Sequence, residues 1–322
     1  MRFVLLLGCI LAAAASLCIG PVPLGIGRFL AAASGHDPIA ATIVFQLRLP
    51  RTLVALLVGG MLGIGGAALQ GYLRNPLAEP SVLGASNGAA LGAVVALYFG
   101  FAATQPLALP LLAILGAVVA LVLLFVLAGR GESALTLILA GIAVSMLAGA
   151  GISLALNLSP NPFAAMEIAT WLLGSLEDRS LRHVWIALPC VAVGAALLLW
   201  DGRALDALSL GEDGARALGV DLARVRLRLL LGVAIGVGGA VAVSGAIGFV
   251  GLIVPHFVRP FTDRSPSATL LPSALAGAAL LTLADTAVRL IPTPTELKLG
   301  VVTALLGVPV FLIHLMRERR QW

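Results

Sequence analysis

The segment Gly84-Ala85-Ser86-Asn87-Gly88 fits the G-x-S-x-G pattern that presents a nucleophilic serine. That device needs a strand-turn-helix on an α/β sheet, which this apolar stretch does not offer. His256 could act as a base for Ser86, but no third group is evident, and small residues for close helix packing explain the segment. His36, His183, His256 and His314 are scattered, with neither the H-E-x-x-H spacing nor the carboxylate cluster of a metal site. The only lysine, Lys298, is followed by Leu299, so no phosphate-cradling G-x-x-x-x-G-K-[ST] loop is present. Cys9, Cys18 and Cys190 lie in apolar stretches without disulfide or zinc spacing. The chain is therefore expected to be no enzyme and to hold no metal or cofactor; any ATP is hydrolysed by a partner.

Two kinds of polar feature remain. The first is a pair of breaks in apolar sequence, Arg74-Asn75-Pro76-Leu77-Ala78-Glu79-Pro80 and Pro255-His256. Irregular backbone at membrane depth is tolerated where protein or a water-filled cavity satisfies it, so Asn75, Pro76, Glu79, Pro80, Pro255 and His256 are candidate pathway residues. A tight turn capped by Asn75 and Glu79 is the plainer reading. The second is a set of arginines, Arg48, Arg51 and Arg289, at the ends of apolar segments. Arginine pairs bidentately with carboxylates, which suits docking of an acidic partner, but it also snorkels from helix ends.

The elements that position these residues are membrane helices. Sixty per cent of the 322 residues are hydrophobic and 11% are charged, too few charges for a water-facing shell. The net charge of +5 is spread singly between apolar runs, without the aromatic-interleaved basic patch of a nucleic-acid binder. A span takes about 20 apolar residues, and runs occur at 3–19, 52–73, 82–103, 106–128, 133–158, 184–200, 229–258, 268–291 and 299–316. The first is read as a retained helix rather than a signal peptide. The seventh is long and rich in helix interrupters from Gly245 to His256. Left whole, it would put Arg259, Arg264 and the terminal Arg317, Arg319 and Arg320 on the outer side, against the positive-inside tendency. Splitting it gives ten spans with both termini cytoplasmic.

Gly59, Gly63, Gly65 and Gly66 share their spacing with Gly232, Gly236, Gly238 and Gly239 on oppositely directed spans, as an inverted repeat or chance would produce. The longest hydrophilic stretch, 201–228, falls inside and reads as short helices. Leu205, Leu208, Leu218 and Val220 give it an apolar side that could rest on another protein or merely connect two spans.

Several strings together resemble the FecCD-type permeases, the membrane subunits of importers for iron-siderophores, vitamin B12 and haem. They are Arg48-Leu-Pro-Arg51-Thr-Leu, Gly65-Gly-Ala-Ala-Leu-Gln-Gly71, Asn75-Pro-Leu-Ala-Glu-Pro80, Leu83-Gly-Ala-Ser-Asn-Gly-Ala89, Gly211-Glu-Asp-Gly-Ala-Arg-Ala-Leu-Gly219, Gly248-Phe-Val-Gly-Leu-Ile-Val-Pro-His256 and Thr303-Ala-Leu-Leu-Gly307. The resemblance implies an all-α integral membrane fold of the type II ABC importer permease kind, one domain over 1–322 with ten helices. It further implies a homodimer in the bacterial cytoplasmic membrane, two cytoplasmic ATPase subunits and a periplasmic or extracellular substrate-binding protein. By this likeness Gly211, Glu212, Asp213, Ala215, Arg216, Leu218 and Gly219 form the coupling element, and Arg48, Arg51 and Arg289 match positions that dock the binding protein. One departure stands out: where relatives usually have Glu-Leu-Pro-Val-Gly, this chain reads Glu296-Leu-Lys-Leu-Gly300. The rival reading is a secondary transporter coupled to ions through Asp285 or the break at Asn75; Asp285 and Glu167 are the only acids near apolar segments, neither paired in sequence.

Overall fold

A computed structural model describes residues 1–129, 134–293 and 295–318, and these contain helices and connections but no strand. Ten principal helices are numbered here: α1 (Arg2–Cys18), α2 (Leu49–Leu73), α3 (Ala85–Tyr98), α4 (Ala108–Ala128), α5 (Ala134–Asn157), α6 (Leu181–Trp200), α7 (Leu222–Ser244), α8 (Val250–Val258), α9 (Pro266–Val288) and α10 (Leu299–Glu318). Among the described residues, six helical stretches are long and apolar enough to cross a membrane, and α1, α3, α8 with its following turn, and the Leu299–Pro309 part of α10 are shorter apolar stretches. Six and four make the ten expected spans, most with ends within a few residues of the apolar runs. Arg319 and Arg320, expected on the inner side, lie outside the described residues.

Helix α2 continues backwards through a π-helical segment, Thr42–Arg48, and the short helix Pro38–Ala41, making one helical stretch Pro38–Leu73. Its 36 residues span about 54 Å at 1.5 Å each. That exceeds the ~30 Å hydrocarbon thickness. Arg48 and Arg51 sit about 33 to 38 Å from the Leu73 end, one hydrocarbon thickness away.

Helices α2 and α7 form the centre, each 78% buried over its apolar window, against 28% for α5 and 22% for α6. Glycine makes this closeness possible. Gly59 and Gly63 on α2 face the backbone of Gly277 and Ser273 on α9 so tightly that any Cβ would overlap a carbonyl, the small-residue contact used where lipid gives no hydrophobic drive between helices. Leu139, Leu147 and Leu154 on α5, and Leu305 and Leu306 on α10, are exposed.

The long run 229–258 divides as expected. Helix α7 ends at Ser244, Gly245 takes φ 70°, the backbone has no regular structure to Phe249, which takes φ 68°, and α8 follows. Five residues at the extended limit of ~3.3 Å each plus 12 helical residues cover at most about 34 Å, enough for one crossing. The ends of the irregular part are tied down: Gly245 N donates to Val241 O (2.8 Å), Ser244 Oγ donates to Gly245 O (3.0 Å) and Ile253 N donates to Phe249 O (2.9 Å), while Ser175 N donates to the last carbonyl of α7, Ser244 O (2.8 Å).

The glycines of the faint repeat do not make matching contacts. Helix α2 packs on α9, α8 and α6, and α7 packs on α6, α4 and α3. Gly59 and Gly63 face α9, whereas Gly232 and Gly236 face Gly194 on α6.

Candidate functional site

One cluster forms where α1 ends and α2 begins. The last carbonyls of a helix lack intrahelical donors, and arginines from two other helices supply them here. Arg48 Nη1 donates to Leu17 O (2.9 Å) and Cys18 O (2.7 Å), and its Nη2 to Val22 O (2.5 Å). Arg289, at the end of α9, donates through Nη1 to Ser16 O (3.1 Å) and through Nη2 to Ser16 Oγ (2.5 Å) and Thr286 Oγ1 (3.1 Å). Both are buried, at 5% and 7% exposure.

Arg51 is spent differently. Its Nε donates to both oxygens of Asp285 (3.0 Å each), Nη2 to Asp285 Oδ1 (2.8 Å), Nη1 to Glu296 Oε2 (3.0 Å), and Nη2 also contacts Glu296 Oε1. Asp285 in addition pairs with Arg289 at 3.3 Å. The sequence reading that Asp285 is not paired in sequence is thus corrected: Arg289, four positions on, pairs with it, and Arg51 reaches the same buried carboxylate. The three arginines singled out do come together, but each is engaged within the chain.

Sequence reasoning missed Glu177, Asp178 and Arg179, in the connection before α6. Lys298 Nζ donates to Glu177 Oε2 at 2.7 Å, which answers what the unusual lysine does. A cavity of about 420 Å³ opens here, lined by Arg48, Arg51, Arg179 and Arg289, by Glu177, Asp178 and Glu296, and by residues of the 21–22 and 43–47 segments. Burial holds the Arg179 guanidinium below its ordinary pKa; Asp178 and Glu177 oppose that and Arg51 adds to it. The available signal was the charged run Glu177-Asp178-Arg179 between apolar segments.

At the opposite end, the 201–228 stretch carries two short helices, Gly202–Leu208 and Glu212–Ala217. The first is pinned at two points. Asp201 accepts from Arg228 Nε (2.9 Å) and Nη2 (2.5 Å), and Asp206 accepts from Ser267 N (2.8 Å) and Oγ (2.5 Å) in the first turn of α9. Leu205 and Leu208 turn into the core, whereas Leu210 and Leu218 stand 70% and 64% exposed. The apolar side expected of this loop is therefore divided between anchoring and display. Gly211 (φ 95°) and Gly219 (φ 81°) flank the second helix, and within it Arg216 pairs with Glu212 and Asp213. Ala215 is buried.

The break at 74–80 is a turn whose Asn75 Oδ1 accepts from Leu77 N (2.9 Å), with Pro80 against Gly65 and Gly251; Glu79 accepts from Ser81, and Pro76 lies in the same turn. Buried Gln70 donates to Leu252 O (3.2 Å) and accepts from Arg259 Nη2 (3.1 Å), tying α2 to the start of α8 and the turn after it. Pro255 is buried within α8 and His256 lies half-buried beside it. Ser86 lies in the first turn of α3, and Gly88 meets Gly116 and Ala120 of α4, as close packing requires.

Residues 6–317 match the model of the FecCD transport family. The vitamin B12 import system permease protein BtuC of Vibrio cholerae is 42% identical over 287 residues, covering 88% of this chain and 86% of that protein. A cobalamin import system permease protein of Halobacterium salinarum is 43% identical, covering 88% and 76%. A solved structure described as an inward-facing conformation of a transporter assigned to the metal-chelate ABC type superposes with a TM-score of 0.89 at 33% identity, covering 98% of both chains.

Proposed function

The chain belongs to the FecCD transport family, and from that premise we propose that it is the membrane permease of a binding-protein-dependent ABC importer for a metal chelate, such as a corrinoid, an iron-siderophore or haem. It works as a homodimer in the bacterial cytoplasmic membrane, with two separate ATPase subunits on the cytoplasmic side and a binding protein outside. What supports this above all is likeness over nearly the whole chain to a solved transporter of that type and to vitamin B12 permeases.

In this reading the arginine cluster faces outward and both termini face the cytoplasm, which leaves most basic residues inside. Arg48 and Arg289 shape the docking face by holding the end of α1. Arg51, whose partner Glu296 is 20% exposed, can trade that carboxylate for one on the binding protein. Exposed apolar faces of α5 and α10 meet the second copy, and the chelate passes between copies. Leu210, Leu218 and the Gly211–Gly219 segment rest on the ATPase. Because the preceding helix is bonded to α7 and α9 through Asp201 and Asp206, ATPase closure moves those helices as rigid bodies.

An ion-coupled mechanism through Asp285 has less support, since two arginines of the chain already engage that carboxylate. Reconstitution in liposomes with the ATPase and binding protein decides: uptake of cyanocobalamin or a ferric siderophore is expected only with ATP. Uptake driven by an ion gradient without ATP overturns the proposal.

A further inference from the structure

Resting on the importer reading, we propose that Arg179 receives an acidic side chain of the binding protein in the 420 Å³ cavity at the arginine end. Four arginines line that cavity. Arg48 and Arg289 spend their donors mainly on the end of α1, and Arg51 spends its own on Asp285 and Glu296. Arg179 differs. Its Nε is buried with no hydrogen-bond partner, and its other contacts, to Ser175 O and His183 Nε2, are long at 3.4 Å each. No carboxylate lies within ion-pair distance of it among the described residues, and nearby Glu177 is taken by Lys298.

A guanidinium with an unused donor, beside the cation Arg51, is poorly solvated and poorly compensated. An incoming carboxylate supplies both the acceptor and the charge, and a guanidinium fork binds one bidentately. The place favours a protein over cargo: no residue of α5 or α10, the helices left exposed for the second copy, lines the cavity. It is instead continuous with the docking face around Arg51 and Glu296.

The test uses the full permease with its ATPase in nanodiscs and the purified binding protein that supports its ATP-driven uptake. Arg179→Gln is expected to weaken binding-protein affinity about tenfold or more, and Arg179→Glu further still. Arg28→Ala, which removes an exposed arginine paired with Asp37 outside the cavity, leaves affinity unchanged. Replacing one acidic residue of the binding protein by arginine restores binding to Arg179→Glu. Unchanged affinity in both Arg179 variants overturns the proposal, as does a lowered unfolding temperature with normal affinity. Loss seen only when the binding protein is loaded with its chelate also overturns it, because the carboxylate would then be the cargo's. If Arg179→Gln fails to fold, Arg179→Lys decides: it keeps the charge but loses the fork, and must still weaken binding. Should no binding protein support uptake by the wild type, the importer reading itself fails, a result distinct from the others.

Discussion

Arg51 on α2 and Asp285 on α9 lie 234 positions apart, yet three N–H···O contacts of 2.8 to 3.0 Å join them. Arg289 approaches the same carboxylate from the other side. Asp285 is 1% exposed, so this pair lies out of water, where removing one partner costs far more than the pair contributes.

Asp285→Asn should therefore destabilise the protein by about 3 to 5 kcal/mol, by leaving buried Arg289 without a counter-charge and Arg51 with Glu296 alone. Thermal unfolding in detergent measures it. In Arg51→Met/Asp285→Leu the loss should be clearly smaller than the sum of the single losses; additivity would show that the two groups do not interact.

The seam between α2 and α8 is a backbone contact at Gly66, where a Cβ would overlap the carbonyl of Gly251, whereas Gly248 has open space. Gly66→Ala is expected to cost about 1 to 3 kcal/mol through overpacking. Gly248→Ala should be close to neutral. Equal unfolding temperatures for the two variants would refute the close approach.

Leu205 and Leu218 belong to one loop but have opposite surroundings, at 0% and 64% exposure. Leu205→Ala should lower stability by about 2 to 5 kcal/mol. Leu218→Asp should leave stability alone and abolish ATPase association and ATP-driven uptake. Normal uptake by Leu218→Asp would remove this leucine from the coupling surface.

Asp206 joins the same loop to the first turn of α9 through Ser267. In Asp206→Ala the ATPase should still bind the permease, while uptake per ATP hydrolysed falls severalfold because the loop no longer drags α9. Parallel measurement of ATPase binding, hydrolysis and uptake checks this; intact coupling would assign the transmission elsewhere.

Lys298 and Glu177 are 20% and 38% exposed, so their pair contributes little, about 1 kcal/mol or less. Lys298→Met should shift the unfolding temperature slightly, and the shift should vanish in a Glu177→Gln background.

The spans were legible because hydropathy, length and charge bias are local properties: 229–258 betrayed its division through its interrupters and the arginines that follow. Residue types at the arginine end were legible too, but their partners were not. Arg48 and Arg289 meet at the end of α1 from positions 48 and 289, and no spacing rule joins residues so far apart. Arg179 escaped notice because a charged run between spans ordinarily means solvent, and only the folded chain shows its Nε out of water. Leu205 and Leu218 looked like one apolar side, since neither short helix is long enough for periodicity to separate their faces.

The stretch Pro38–Leu73 is one unbroken rod reaching from the arginine end to the turn at Asn75. Over the about 33 to 38 Å from the arginines to Leu73, a tilt of only 5° carries one end about 3 Å sideways when the other is fixed. On the proposed docking, a small tilt set at the arginine end is carried to the Asn75 turn by a single helical part.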